Sequence, residues 1–157
     1  MLTLIHDVLT EYENRQIIEF FYRYPDSVWI DTDIENSEFG HFALKKILSI
    51  ANKHFDLSKT IGCECWSHFN SGPPWHLDQD DERFHRTGEI ITPLCSIVYY
   101  ASIKNLQGGN FKTRTQSITP VHNSVLVFGP GIEHTIDEFN GERVSISINP
   151  WDHKIHS

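Results

Sequence analysis

From about Ile61 to Trp151, short strand-like runs alternate with turn residues, and this pattern restricts the possible folds most strongly. The run at 94–103, LCSIVYYASI, is the richest in β-branched and aromatic residues, which favour strands. Gly108 and Gly109 mark a turn or a close backbone approach between two such runs. Short strands at this spacing are typical of an all-β sandwich or barrel. Further strands are predicted at 62–69, 111–117, 124–128 and 143–148.

Two helices are predicted before the strands. Thr10 and Glu13 fit a capping box that opens the first helix, which should end before Pro25. Apolar residues at roughly helical spacing predict a second helix that starts after Asn36 or Ser37. We therefore expect a single domain over 1–157, with helical support at about 1–58 and a barrel core at about 61–151.

The composition is that of a globular domain. Of the 157 residues, 39% are apolar and 12% aromatic, which is enough to form a real core. No apolar run approaches the length of a membrane span, and residues 1–16 lack the pattern of a secretory signal. A cytoplasmic protein is expected, and the compact chain suits a bacterial or phage source. Because no secretory signal is found, the three cysteines are expected to be reduced thiols. No second Cys pair exists to complete a zinc site with Cys63 and Cys65.

The net charge of −8 argues against a nucleic-acid partner. The chain has 21 acidic and 13 basic residues and no run rich in Lys or Arg. A surface that binds duplex nucleic acid needs basic charge to displace counterions. We expect no nucleic-acid partner and no membrane partner, and the sequence leaves the oligomeric state open.

One short motif suggests a metal site. His76 and Asp78 are two residues apart, so an extended segment would present both side chains on one side. Together they are two thirds of the two-His, one-carboxylate face that holds Fe(II) and leaves positions open. With ten histidines in the chain, a surface turn after Gly72 is the alternative. A distant His134, followed nine residues later by Arg143, would complete the pattern.

The segment RVSISI at 143–148 places polar and apolar residues on opposite faces of a strand. An inward-facing Arg143 would need an anion, because an unpaired buried charge is costly. Its planar guanidinium matches a carboxylate at two points, and Ser145 could donate to the same carboxylate. A surface ion pair with Glu142 is the alternative. Beside a metal face, a co-substrate that carries a carboxylate explains Arg143 better.

Several short motifs follow one another in order between about 65 and 151. They are WSHF at 66–69, HLD at 76–78, IVYY at 97–100, GGNF at 108–111, the run 120–128, His134, and GERVS at 141–145. This ordered set resembles the 2-oxoglutarate- and Fe(II)-dependent oxygenases, and among them the prolyl 4-hydroxylase-like branch. The resemblance implies a mainly β fold with N-terminal helices. The core would be a double-stranded β-helix, a jelly-roll or cupin-like barrel.

The resemblance also implies the cofactors. Fe(II) would bind His76, Asp78 and His134, and 2-oxoglutarate would chelate it through its keto-acid end. The far carboxylate of 2-oxoglutarate would pair with Arg143, Ser145 and Tyr100. Trp66 stands where this branch often has a tyrosine near the co-substrate. O2 would be consumed, 2-oxoglutarate would give succinate and CO2, and a C–H bond would be hydroxylated. The resemblance leaves open whether ascorbate serves as an additional reductant.

Departures from sister families favour hydroxylation. Family halogenases replace the metal-binding carboxylate with a small residue, whereas this chain has Asp78. Nucleic-acid demethylases of the superfamily carry a second Arg six residues after the first, where this chain has Asn149. The JmjC type usually binds the co-substrate through Lys instead of an Arg at the position of Arg143.

The prime substrate is expected to be a peptidyl proline. A free amino acid or other small metabolite is the alternative, and a non-catalytic cupin-like binding protein is a third interpretation. The long polar segment 79–92 is either a loop that folds over the substrate or a solvated surface loop. Asp80, Asp81 and Glu82 in it would favour a cationic substrate if they face the opening. Three other histidines are expected to tolerate substitution: His68, His85 and His122.

Overall fold

The computed structural model describes residues 2–32 and 39–155, with the side chains of 39–42 left out. Within these ranges it has nine strands and three helices. Their order is β1 (Leu2–Ile5), α1 (Glu11–Arg23), β2 (Val28–Asp31), α2 (Phe39–Ala51), β3 (Gly62–Phe69), α3 (Asp81–Thr87), β4 (Ser96–Gly108), β5 (Phe111–Lys112), β6 (Ser117–Ile118), β7 (Ser124–Phe128), β8 (Thr135–Ile136) and β9 (Phe139–Trp151).

The strands form two antiparallel sheets. The large sheet has the order β1-β7-β4-β9-β3-β2, and the small sheet has the order β6-β5-β8. An isolated antiparallel bridge joins His76 to His134, the residue that precedes β8 of the small sheet. This is the predicted double-stranded β-helix, mainly β with helices packed on one sheet.

The large sheet buries its two faces in different ways because side chains alternate along each strand. One face, which includes Cys65, Tyr99 and Ile146, packs with Ile17 and Ile47 of the two long helices. The other face points into the barrel, where Tyr100, Leu126 and Phe128 pack with Phe111 of the small sheet. Polar side chains that alternate with the helix-facing residues therefore point into the barrel.

A bulge in β4 shifts the pairing of β4 with β9 beside Arg143. Tyr100 is opposite Ser145, but Ser102 is opposite Val144, so one extra residue lies on β4 between the two pairs. As a result Ile103 is opposite Arg143, and Ile103 packs into the apolar cluster inside the barrel.

The N-terminal half matches the helix predictions but is not only helical. Thr10 Oγ1 accepts from Glu13 N (3.1 Å), and Glu13 Oε1 accepts from Thr10 N (2.8 Å), as a capping box requires. Helix α1 ends at Arg23, before Pro25. Strands β1 and β2 were not predicted, and they extend the large sheet at its two edges. The predicted start of the second helix, after Asn36 or Ser37, lies outside the described residues, and α2 is described from Phe39.

Several predicted bounds need correction in the second half. Strand β4 starts two residues later than predicted and continues to Gly108, and the predicted strand at 111–117 is two short strands. The segment 79–92 is not wholly a loop, because α3 lies within it. Asp80 caps this helix, with its side chain accepting from Arg83 N at 3.1 Å, and Gly88 ends it with a left-handed φ of 76°.

Two further features bear on the sequence predictions. All three cysteines are free and buried: Cys63, Cys65 and Cys95. Among the residues that the structure describes, no helix is long and apolar enough to cross a membrane.

Candidate metal centre

Three predicted ligands come together at one point. The potential ligand atoms of His76, Asp78 and His134 all lie within 4.8 Å of one another. His76 and His134 form the isolated bridge, in which each backbone N–H donates to the carbonyl of the other at 3.0 Å. Asp78 Oδ1 lies 3.3 Å from Nε2 of His76 and 3.7 Å from Nε2 of His134.

Neighbouring groups aim these side chains at one another. Each histidine directs Nδ1 at a backbone carbonyl two residues earlier, at 2.8 Å, so Nδ1 is the donor and Nε2 is the atom that lies toward Asp78. Ser96 Oγ donates to Asp78 Oδ2 at 2.7 Å, which leaves Oδ1 toward the histidines. Such outer hydrogen bonds fix the tautomer and orientation of metal ligands. The sequence prediction did not include Ser96.

The local electrostatics suit a cation. Burial would raise the pKa of Asp78, but hydrogen bonding with His76 and the charges of both histidines outweigh burial and lower it. Burial lowers the pKa of His134, and Asp78 offsets only part of that effect. Burial would also lower the pKa of His76, yet its bonds to Asp78 and to the Pro74 carbonyl raise it. An incoming metal ion would therefore compete with a proton mainly at His76.

An apolar wall supports His134, which is 5% exposed. Its ring stacks on Phe111 with a centroid distance of 5.0 Å, and it meets Phe128 edge-on at 5.0 Å. His76 lies on the more open side, with its side chain 30% exposed. The donor set of two imidazoles and one carboxylate, open on one side, fits Fe(II).

Arg143 lies inside the barrel, 1% exposed. Its Nε donates to the Gly109 carbonyl (3.0 Å) and its Nη1 donates to Ser145 Oγ (3.1 Å), whereas Nη2 is buried without a partner. The alternative ion pair with Glu142 is wrong, since the Glu142 carboxylate bonds with Ser102 and lies 3.8 Å from Lys104. In the described part of the chain no carboxylate pairs with Arg143.

Two more observations show that the surroundings of Arg143 suit an anion. The Tyr100 hydroxyl is also buried without a hydrogen bond of good geometry. It lies close enough to the Arg143 guanidinium for each group to affect the pKa of the other, and the centroid of its ring is 5.4 Å from Arg143 Cζ. Burial raises the pKa of Tyr100 to about 12 even though Arg143 acts in the opposite direction. For Arg143, which is a base, burial lowers the pKa. A carboxylate bound here would give both unpaired groups a partner, so these residues fit the distal carboxylate of 2-oxoglutarate.

Gly109 makes room for the guanidinium. It adopts a left-handed φ of 73°, and a Cβ at this position would lie 3.1 Å from Arg143 Cδ. A side chain here would strain the backbone and crowd the side chain whose Nε donates to the Gly109 carbonyl. The Gly108-Gly109 pair that was predicted as a turn or close approach is therefore part of the site.

The metal ligands and Arg143 face one cavity. It encloses only about 20 Å³, room for roughly one water, so a dicarboxylate can enter only if lining side chains shift. Of the predicted site residues all but Tyr100 line it, and seven further residues join them. Its walls are Trp66, His68, Pro73, His76, Asp78, Ile97, Val98, Phe111, His134, Ile136, Arg143, Ser145 and Ser147.

His68 lies in the wall of the cavity, although it was predicted to be one of the histidines that tolerate substitution. It lies opposite Ser145 in the β3–β9 pairing and lines the cavity. Trp66 Nε1 donates to His68 Nε2 at 3.1 Å, so Trp66 already uses its only polar group. Burial, with further contributions from Arg143 and His76, lowers the pKa of His68. Alternation along β3, with Trp66 inward, was the signal that could have identified His68.

Comparison with known proteins rests on structure alone. No family model matches the chain, and no curated protein matches it by sequence. A Pseudomonas putida prolyl-4-hydroxylase is 18% identical, with a TM-score of 0.65 over 99% of this chain and 87% of that one. An oxidoreductase of the 2OG-Fe(II) oxygenase family from Burkholderia pseudomallei is 14% identical, with a TM-score of 0.63 over 98% and 86%.

A third similar structure is a prolyl hydroxylase from Trichoplax adhaerens in complex with a peptide fragment of the hypoxia inducible factor oxygen degradation domain. It is 13% identical, with a TM-score of 0.60 over 96% of this chain and 83% of that one. At such low identities the likeness identifies the fold. The chain therefore has the double-stranded β-helix fold of the 2-oxoglutarate- and Fe(II)-dependent oxygenases.

Proposed function

We propose that this protein is an Fe(II)- and 2-oxoglutarate-dependent oxygenase that hydroxylates a C–H bond. The carrying observation is that the three-ligand cluster and the partly unpaired Arg143 line the same cavity. His76, Asp78 and His134 would hold Fe(II). When bound, Fe(II), 2-oxoglutarate and O2 supply an oxidation in which one oxygen atom enters the C–H bond and the other enters succinate, with loss of CO2.

The residues of the chain itself bind, orient and shield. Arg143 would hold the distal carboxylate of 2-oxoglutarate, with hydroxyl donors from Ser145 and Tyr100. Ser96 fixes the Asp78 carboxylate, while Phe111 and Phe128 keep water away from one side of His134. Both the fold and these contacts support an enzyme over a barrel that only binds a ligand. A protein that only binds a ligand would not need both a metal site and a separate carboxylate site at Arg143.

A peptidyl proline is the substrate that we propose first. Support comes from the shared fold with two prolyl hydroxylases, one of which was solved with a peptide. A free amino acid or small metabolite is the competing substrate class. Segment 79–92, with α3 in it, follows Asp78 directly, and its Gln79 and Asp81 line a cavity beside the metal ligands.

The test is an assay for succinate with the full chain, Fe(II) and 2-oxoglutarate in air, against proline-containing peptides and free amino acids. We expect Fe(II)-dependent succinate formation that one substrate class accelerates, and a product 16 Da heavier than that substrate. Anaerobic titration of 2-oxoglutarate into the Fe(II) protein gives a second readout through the metal-to-ligand charge-transfer band. If the folded protein gives neither succinate nor that band, the proposal is refuted.

A further inference from the structure

A second cavity adjoins the metal centre. It encloses about 160 Å³, and the metal-side cavity shares three of its walls, namely Trp66, His76 and Asp78. Its other polar walls include Glu64, Asp81 and Asn149. A group bound in this cavity would therefore lie beside the metal ligands but on the other side of Trp66 from Arg143.

Two hydrogen-bond acceptors in this cavity lack partners. Glu64 on β3 is directly opposite Asn149 on β9, which puts both side chains on the inward face that also carries Trp66. Asn149 is 2% exposed, and its Oδ1 is buried with no hydrogen-bond partner. Glu64 makes no hydrogen bond or ion pair with any residue that the structure describes.

The charge around these acceptors is negative. Burial raises the pKa of Glu64 to about 7, and the nearby carboxylates of Asp78, Asp81 and Asp80 act in the same direction. A cation bound beside Glu64 would oppose both effects and favour its ionised form. Neither Lys nor Arg is among the described residues that line the cavity. An anionic occupant would be repelled by these carboxylates, and an apolar one would leave Asn149 Oδ1 buried and unpaired, which is costly. An occupant with N–H donors and a positive charge would satisfy both Glu64 and Asn149.

We propose that this cavity binds a positively charged N–H group of the prime substrate, an ammonium or guanidinium, between Glu64 and Asn149. The proposal rests on the proposed oxygenase function, because it places the rest of that substrate beside the metal ligands. Two sources have this chemistry: the amino group of a free amino acid or unblocked N-terminus, and the side chain of Lys or Arg in a peptide. This narrows the substrate class beyond a peptidyl proline, which itself carries no charge.

Segment 79–92 contributes less to this site than the sequence suggested. Of its three consecutive acidic residues only Asp81 lines the cavity. Asp80 is 3% exposed and caps α3, and Glu82 is exposed near Arg86. The specificity that we propose comes from strands β3 and β9, which hold their side chains more rigidly than a surface segment does.

The test compares matched pairs of probes on the wild-type Fe(II) enzyme. Free L-amino acids, proline included, are each paired with the N-acetyl derivative. Capped peptides that contain Pro-Lys or Pro-Arg are each paired with the acetyl-lysine or citrulline version. In at least one pair we expect the charged member to accelerate 2-oxoglutarate consumption with a KM about ten- to a hundredfold lower, the effect of one charge-assisted hydrogen bond. The pair that responds identifies the source.

Glu64→Gln keeps the shape of the side chain and removes its charge. It should therefore raise the KM of the charged probe about ten- to a hundredfold and leave the KM of the neutral probe little changed. Glu82→Gln is the matched control, since Glu82 carries the same carboxylate outside the cavity, and it should behave like wild type. Asn149→Asp, which keeps an acceptor and adds charge, should retain the preference, whereas Asn149→Leu should weaken it.

Failure of this inference differs from failure of the proposed function. If the wild type binds 2-oxoglutarate in the anaerobic titration but no charged probe outperforms its neutral partner, the cavity does not select cations. An unchanged preference in folded Glu64→Gln would overturn the assignment as well. If the titration detects no 2-oxoglutarate binding at all, the oxygenase proposal itself is wrong.

Discussion

Replacing Arg143 with Lys tests the co-substrate site most directly. Arg143 is almost completely buried, and its Nε and Nη1 are held by the Gly109 carbonyl and Ser145 Oγ at 3.0 and 3.1 Å. This leaves Nη2 free to meet a carboxylate. Lys keeps the positive charge but loses the rigid fork, so it can offer the carboxylate only one ammonium whose direction is not fixed.

The expected loss follows from these contacts. Hydrogen bonds to charged groups contribute roughly 1.5–3 kcal/mol each. The loss of one such bond, at about 1.4 kcal/mol per tenfold in affinity, weakens 2-oxoglutarate binding about ten- to a hundredfold. Fe(II) affinity should be nearly unchanged, because Arg143 is not one of the three clustered ligands. Ser145→Ala keeps the guanidinium and should cause a smaller loss.

The assay is an anaerobic titration of 2-oxoglutarate into the Fe(II) protein, followed by the metal-to-ligand charge-transfer band. Arg83→Lys is the matched control, because Arg83 is an exposed arginine that pairs with Glu89 at 2.9 Å. Circular dichroism would verify that each variant is folded. If folded Arg143→Lys binds 2-oxoglutarate as tightly as wild type, the co-substrate lies elsewhere and the reasoning fails.

Three further predictions concern the metal, pH and the fold. His134→Ala should greatly weaken Fe(II) binding in an anaerobic metal titration and abolish 2-oxoglutarate turnover, whereas the exposed His122→Ala should do neither; normal Fe(II) affinity in His134→Ala would exclude His134 as a ligand. Folded Glu64 keeps its proton up to about pH 7, while an unfolded glutamate releases it near its ordinary value of 4.5, so the metal-free protein loses stability as pH rises through this window. Glu64→Gln should therefore raise the thermal midpoint relative to wild type more at pH 8 than at pH 5, and an equal difference at both would contradict the unpaired carboxylate. Thr10→Ala removes half of the capping box and should cost roughly 1 kcal/mol. That is about 2–4 °C in thermal midpoint for a domain of this size, with 2-oxoglutarate affinity unchanged; no shift would mean that the cap contributes little.

Much of the fold was predictable because the relevant signals are local. The capping box of Thr10 and Glu13 joins groups three residues apart, and it forms as expected. The strands at 62–69 and 124–128 have the predicted bounds, since each ends where residues that favour turns begin, at Asn70 and Gly129. Strands β1 and β2 escaped prediction because each has four residues and is stabilised by pairing with a partner far along the chain.

The site shows the same division between local and long-range signals. Spacing alone put Asp78 near His76, and alternation put Ser145 on the same face as Arg143. Which distant histidine joins the first two ligands depends on a bridge across 58 positions, from His76 to His134. The sequence offered His134, followed by Arg143, as that third ligand, but it could not show that the two segments meet.

By itself, then, the sequence determined the helix cap, the main strands and the candidate ligands, because each depends on neighbours a few residues away. Only the tertiary structure decided that Arg143 is buried with an unpaired Nη2 and that His68 faces the cavity. It also decided that Glu64 lies opposite Asn149, whose Oδ1 is buried without a partner. Strand register causes each of these juxtapositions, and register depends on pairing between residues that are distant in the chain.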